Sequence, residues 1–238
     1  MRFFFSLLAA LGLASAAHAH ALWLEPDGEG ARLYFGEFDE NLREASPGLL
    51  DRLSPPKAQV ASPNGAALTV EKTATSFLLN GANLSADGAV AQQARVTERK
   101  QGERVTKVMG FFGARFVPDL KERAAILALD VVPAAKKGSF VVMFEGKPLA
   151  KAKIELIAES GWKRDFKSEP DGSFEAPMPF RGGYVIEVEH TDSNAGTLDG
   201  QAYDTRRFVT TLYMRSTEGI QGPPQPAAHT PKREMQQR

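Results

Sequence analysis

Three histidines follow residue 19 in this chain, His20, His190 and His229, and no cysteine accompanies them. His20 stands out because of what precedes it. Arg2, the apolar run Phe3 to Leu13 and the small residues Ala14 to Ala19 have the three-part layout of a cleaved secretory leader. A cut after Ala19 satisfies the small-x-small rule through Ala17 and leaves His20 as the first residue. A cut after Ala21 also satisfies it and would remove that histidine. An amino-terminal histidine offers two nitrogens from one residue, the free α-amine and ring Nδ1. A second imidazole would complete a T-shaped set of three nitrogens, a histidine brace. Such a set suits Cu(II), and Ni(II) accepts similar donors. The amine must lose its proton, whose ordinary pKa is about 7.7–8.0, so binding of this kind weakens in acid.

The candidate for the second imidazole is His190. It ends the run Tyr184-Val185-Ile186-Glu187-Val188-Glu189, where a strand hands over to the polar stretch Thr191 to Asp204. Asp192, Tyr203 and Asp204 follow closely and are candidates to fill further positions or to orient the imidazole. The metal expected is copper or nickel. His229 lies in a proline-rich tail and is read as a bystander. No nucleotide loop, nucleophile elbow or thioether cluster is present. Phe111, Phe112, Phe116, Trp162 and Phe166 would suit either a carbohydrate face or a core.

These residues must be positioned by strands. From Gly138 to His190 the chain alternates short apolar runs with turn signals: Val141 to Phe144, then Ile154 to Ile157, Pro170-Asp171-Gly172, and Gly182-Gly183 leading into Tyr184 to Val188. Strands of this length bury a face only by pairing and stacking. Upstream, Leu22 to Leu24, Ala31 to Phe38, Lys57 to Ala61, Ala67 to Glu71, Thr75 to Asn80 and Val90 to Glu98 read as strands. Arg104 to Val117 reads as a strand with a bulge at Gly110 or Gly113, or as a short helix. Ile126 to Pro133 reads as a strand at a domain edge, with Pro133 to Lys137 as the linker. The expectation is an all-β chain of two antiparallel β-sandwich domains. They lie at 20–135, the N-terminal β domain, and 136–215, the second sandwich, with a leader at 1–19 before them and a tail without fixed structure at 216–238 after them.

Charge is balanced at 29 Lys and Arg against 29 Asp and Glu. Removing Arg2 with the leader leaves 28 against 29, which argues against nucleic-acid binding. An exported chain without cysteine must be held by its cores, and it has no cysteine for a lipid anchor. The leader is too short to read as a membrane span.

Two resemblances add to this. The stretches GKPLAKAKIEL, SEPDGSFEAPMP and GGYVIEVEH resemble the transthyretin-like or carboxypeptidase-regulatory-like (Cna B-type) sandwich, which implies that fold for 136–215. The wider chain resembles a bacterial periplasmic family of largely uncharacterised proteins associated with nickel or cobalt uptake. The resemblance rests on Ala19-His20-Ala21-Leu22-Trp23-Leu24-Glu25-Pro26, on Gly146-Lys147-Pro148-Leu149 with Ala152, on His190 after Gly182-Gly183-Tyr184, and on Tyr203 with Phe208 to Leu212. It implies a periplasmic, non-enzymatic metal-binding protein acting in metal uptake or homeostasis, with an inner-membrane metal transporter as partner. Two other functions remain open from the residues. One is a copper oxidoreductase acting on polysaccharide through the same amino-terminal histidine. The other is a structural or adhesive sandwich without metal.

Overall fold

The computed structural model describes residues 20–81 and 84–231. The expected leader at 1–19 and the end of the expected tail, 232–238, lie outside the described residues. The chain is all-β and built from stacked, mostly antiparallel sheets, as its short alternating runs require. In chain order the first elements are β1 (Ala21–Asp27), β2 (Gly30–Glu37), β3 (Leu42–Arg43), a 3-10 turn (Leu49–Arg52), β4 (Lys57–Val60), β5 (Thr69–Lys72) and β6 (Phe77–Asn80). A single helical turn, α1 (Leu84–Asp87), leads to the long strands β7 (Ala89–Gln101) and β8 (Arg104–Phe116). Then come β9 (Leu129–Pro133), β10 (Ser139–Phe144), β11 (Lys147–Pro148), β12 (Lys153–Ala158), β13 (Lys163–Lys167) and β14 (Ser173–Glu175). The chain closes with β15 (Phe180–Asp192), β16 (Gly196–Leu198), β17 (Gln201–Tyr203), β18 (Thr205–Ser216) and β19 (Ile220–Gln221).

A central sheet in the order β13-β12-β15-β18-β8-β7-β4 carries an outer sheet on each face. Alternate side chains of a strand face opposite ways, so one strand can feed two cores. Val185 and Tyr213 point to the first core, with Leu22, Trp23, Leu24, Leu33 and Phe77 of the sheet β1-β2-β6-β5. Tyr184, Ile186, Val188, Phe208 and Leu212 point to the second, with Leu129, Val131, Phe140 and Val142 of the sheet around β10. Trp23 is buried against Tyr34 and Phe38, and its indole N–H reaches Glu25 Oε1 at 3.0 Å. Burying a large apolar side chain in this way contributes about 1.5–3 kcal/mol.

Three expectations change here. Pro133 to Lys137 is not a linker between sheets. It leads into the hairpin turn between β9 and β10, which pair antiparallel, and the Ala134 amide donates to the Ser139 carbonyl at 2.9 Å. Turn and linker share the same Pro, Lys and Gly composition. The expected boundary at 135/136 therefore falls within sheets and not between them, because β8 from before it pairs in parallel with β18 from after it. Arg104 to Phe116 runs in unbroken register with β7 and β18, with neither bulge nor helix. Gly113 is explained by close approach instead, since a Cβ there would lie 2.9 Å from Thr210 Oγ1. Thirdly, the chain after Ser216 has fixed partners as far as it is described. β19 pairs with Phe180–Arg181, and His229 bridges to Leu42. The Asn41 side chain donates to the Pro226 carbonyl at 2.9 Å, which ties the tail to the loop before β3.

Arg115 and Asp130 form a fully buried ion pair at 2.7 Å beside the second core. Asp130 also accepts the amides of Ile126 and Leu127, and Arg115 donates to the Ala124 carbonyl, so the pair pins the loop before β9. Replacing Asp130 with Ala strands a buried guanidinium and is expected to cost about 3–5 kcal/mol in denaturant unfolding. Ending the chain at Gln221 is expected to speed amide exchange at Leu42 and Arg43 while the β15 and β18 amides stay protected, read by hydrogen–deuterium exchange.

Candidate metal centre at the amino-terminal strand

β1 lies on the central sheet, and the Thr211 hydroxyl donates to the Leu22 carbonyl at 2.6 Å. Ala21 pairs with Gly36, which sets His20 beside Glu37 at the end of β2. His20 Nε2 lies 2.7 Å from Glu44 Oε1, and Nδ1 lies 3.6 Å from Glu37 Oε1. The Phe35 ring packs on the imidazole at 5.3 Å between centroids. The Glu44 side chain is only 1% exposed, whereas that of His20 is 27% exposed. A carboxylate accepts hydrogen bonds, so the short contact puts a proton on Nε2. In the neutral ring Nδ1 then keeps its lone pair on the side of Glu37. A cation shared by that lone pair and the Glu37 carboxylate is attracted to both.

The backbone brings these groups together for a local reason. Gly36 has φ near 150°, and a Cβ there would come within 2.1 Å of the Leu42 carbonyl. Only glycine lets the chain fold back this tightly, from Glu37 at the end of β2 to Glu44 just beyond β3. The Glu44 amide closes the return by donating to the Phe35 carbonyl at 2.8 Å.

Behind Glu37 is a cavity of about 50 Å³ lined by Asp39, Glu155, Lys163, Glu187 and Thr211, among others. Lys163 Nζ reaches Asp39 at 2.8 Å and Glu155 at 3.5 Å. Burial works against the Lys163 charge, but these two carboxylates outweigh it and hold the ammonium above its ordinary pKa. Glu187 makes no hydrogen bond or ion pair among the described residues. Burial, followed by the charges of Glu155 and Glu189, pushes its carboxyl up to about 7. Three carboxylates, the Glu187 carboxyl that holds its proton to about pH 7, and one ammonium thus line the cavity, a balance that favours a cation nearby.

The other expected ligands lie elsewhere. His190 pairs with Phe208 and packs on Phe144 at 4.5 Å between centroids, on the face of β15 that belongs to the second core. His20 belongs with Phe35 on the first. The central sheet separates them, so the expected pairing of His20 with His190 does not form. Arg206 sits over the Phe144 and Phe208 rings, which places a positive charge beside His190 and disfavours a cation there. Asp192 is held by both Arg206 and Asn194, and Asp204 accepts the Lys107 amide at 2.7 Å. Tyr203 packs against the second core from the β16–β17 hairpin, where the polar stretch was expected to be a loop. Among the described residues no three His, Asp or Glu side chains form a ready metal cluster. A site at His20 therefore depends on its α-amine, which is an amide in the uncut chain.

Comparisons with family models, with curated proteins and with solved structures return no match.

Sequence reasoning passed over Glu37, Glu44 and Glu187. Only Glu187 carries a signal in the chain itself, as the one charge at an inward position of the Tyr184 to Val188 run. Because its folded pKa lies above its unfolded value, the stability it gives is complete below about 4.5 and is lost as pH rises through about 7. In metal-free protein, Glu187→Gln is therefore expected to be near neutral at pH 5 and stabilising by about 1–3 kcal/mol at pH 8. Urea denaturation at the two pH values reads the difference.

Proposed function

We propose that this chain is an exported protein that binds one transition-metal ion, copper or nickel, through an amino terminus cut to begin at His20. The observation that carries the reading is the 2.7 Å contact between His20 Nε2 and the buried Glu44 carboxylate. It fixes the imidazole so that Nδ1, the nitrogen that can chelate together with the α-amine, is the one left free. A carboxylate holding the far nitrogen of a ligating imidazole is the usual support in metal sites. The donor set is nitrogen and oxygen, which suits Cu(II) and Ni(II), and it lacks the thiolate or thioether sulfur that selects Cu(I). The ion would be cargo to be held and passed on, in keeping with the resemblance to periplasmic proteins of metal uptake and with an inner-membrane transporter as receiver.

The polysaccharide-oxidising reading gains less support. It needs an exposed aromatic platform beside the metal. Phe111 packs on Phe208, Trp162 on Phe180 and Phe166 on Phe174. Among the described residues the large apolar side chains left well exposed are Val105 and Ile220.

The reading is tested by titrating Cu(II) and Ni(II) into protein that begins at His20 and into protein carrying one extra residue before it. The mature form is expected to bind one ion at least about 100-fold more tightly, because the extension turns the amine into an amide. Its affinity is expected to fall as pH drops below about 7.7, where the amine holds its proton. Equal affinity in the two forms removes the proposal.

A further inference from the structure

We infer that Glu37 is the third protein ligand of the metal held at His20, and that Glu44 is the residue that positions the imidazole for it. This rests on the reading of His20 as an amino-terminal chelator and goes beyond it, because the third donor was expected to be His190. The 3.6 Å between His20 Nδ1 and Glu37 Oε1 is too long for a good hydrogen bond. It lies within twice an ordinary metal–nitrogen or metal–oxygen distance of about 2.0–2.2 Å, so both atoms can reach one ion. Glu37 ends β2, directly across from the start of β1, so a rigid strand pair presents it to the amino terminus. Its neighbour Gly36 permits the turn that returns the chain to Glu44, so one backbone device sets both carboxylates around one ring.

The two carboxylates are equipped for different tasks. Glu44 is 1% exposed and contacts Nε2, the nitrogen that points away from the chelate, so it orients and polarises the ring. Glu37 is 14% exposed, faces Nδ1 and lines the small acidic cavity. Asp39 and Glu155 on that cavity outnumber the single Lys163 ammonium between them, so they lower the energy of a cation at its edge without having to bind it. The resulting set is an amine nitrogen, an imidazole nitrogen and a carboxylate oxygen, leaving a position open for water or for a receiving partner.

The experiment uses protein beginning at His20, with Cu(II) alone and Ni(II) alone as probes, chelator competition for affinity and electron paramagnetic resonance of the Cu(II) form for the donor set. Glu37→Gln is expected to weaken binding by 10-fold or more and to shift the Cu(II) spectrum, while Glu37→Asp keeps the oxygen donor and stays within a few-fold of the unsubstituted protein. Glu44→Gln is expected to weaken binding by about 10- to 100-fold, with the same donor atoms in the spectrum. Near-ultraviolet circular dichroism of each variant checks that the fold is kept; should Glu37→Gln misfold, Glu37→His decides, because a second coordinated imidazole in its Cu(II) spectrum is expected if position 37 is a ligand and its absence overturns that role. If the unsubstituted protein binds and Glu37→Gln matches it in affinity and spectrum, the Nδ1–Glu37 approach is an ion pair only. Glu37 is then no ligand, and the chelating amino terminus stands without it. If the unsubstituted mature protein binds neither ion, both inferences fall together.

Discussion

Side chains of a β-strand leave it alternately on two sides, and in this protein both sides of one sheet are used. The pairing of β15 with β18, and of β18 with β8, makes a platform whose odd and even positions serve different cores. That alternation decides the chemistry as well as the packing. It sends Glu187 and Thr211 toward the amino-terminal strand, and it sends His190 the other way, into an aromatic cluster capped by Arg206. Two histidines placed on opposite sides of a close-packed sheet cannot share an ion, whatever their separation along the chain.

What His20 receives instead is a pair of carboxylates and an acidic cleft. The gain comes from unequal burial. Glu44 is withdrawn from water and pinned to one ring nitrogen, so the orientation of the imidazole is set before any ligand arrives. Glu37 and the groups behind it keep some contact with solvent, which lets charge accumulate there without the full penalty of burying it. Glu187 shows what withdrawal from water costs a carboxylate without a hydrogen bond or ion pair among the described residues. With Glu155 and Glu189 as its charged neighbours, its carboxyl holds a proton to about pH 7. The tail adds a further strut, because His229 and Pro226 hold the Asn41 to Arg43 segment from outside.

The strands were legible in the chain, since period-two alternation and turn residues mark them, and most expected runs became strands. The layering was not. Turn chemistry reads the same whether a turn joins two strands of one sheet or two domains, so Pro133 to Lys137 passed for a linker. Gly110 and Gly113 suggested a bulge because a crowded neighbour such as Thr210, which also demands glycine, is invisible until the sheets are stacked. The proline-rich tail lacked hydrophobic periodicity, but its backbone groups pair without needing any. At the site, His20 was legible through the leader-like pattern of residue types that precedes it. Glu37 and Glu44 were not, because nothing in the sequence tells which of many carboxylates a tight glycine turn will bring onto one ring. His190 stood out by type and by its place near a strand end, while the face it occupies depends on which outer sheet covers it.

The number of imidazoles on the ion separates a centre at His20 and Glu37 from a brace between His20 and His190. Electron spin-echo envelope modulation of the Cu(II)-loaded protein beginning at His20 counts them directly through their remote ring nitrogens. One coordinated imidazole is expected, unchanged in His190→Ala. Modulation from two imidazoles, reduced to one in His190→Ala, would contradict the separation of these residues by the central sheet.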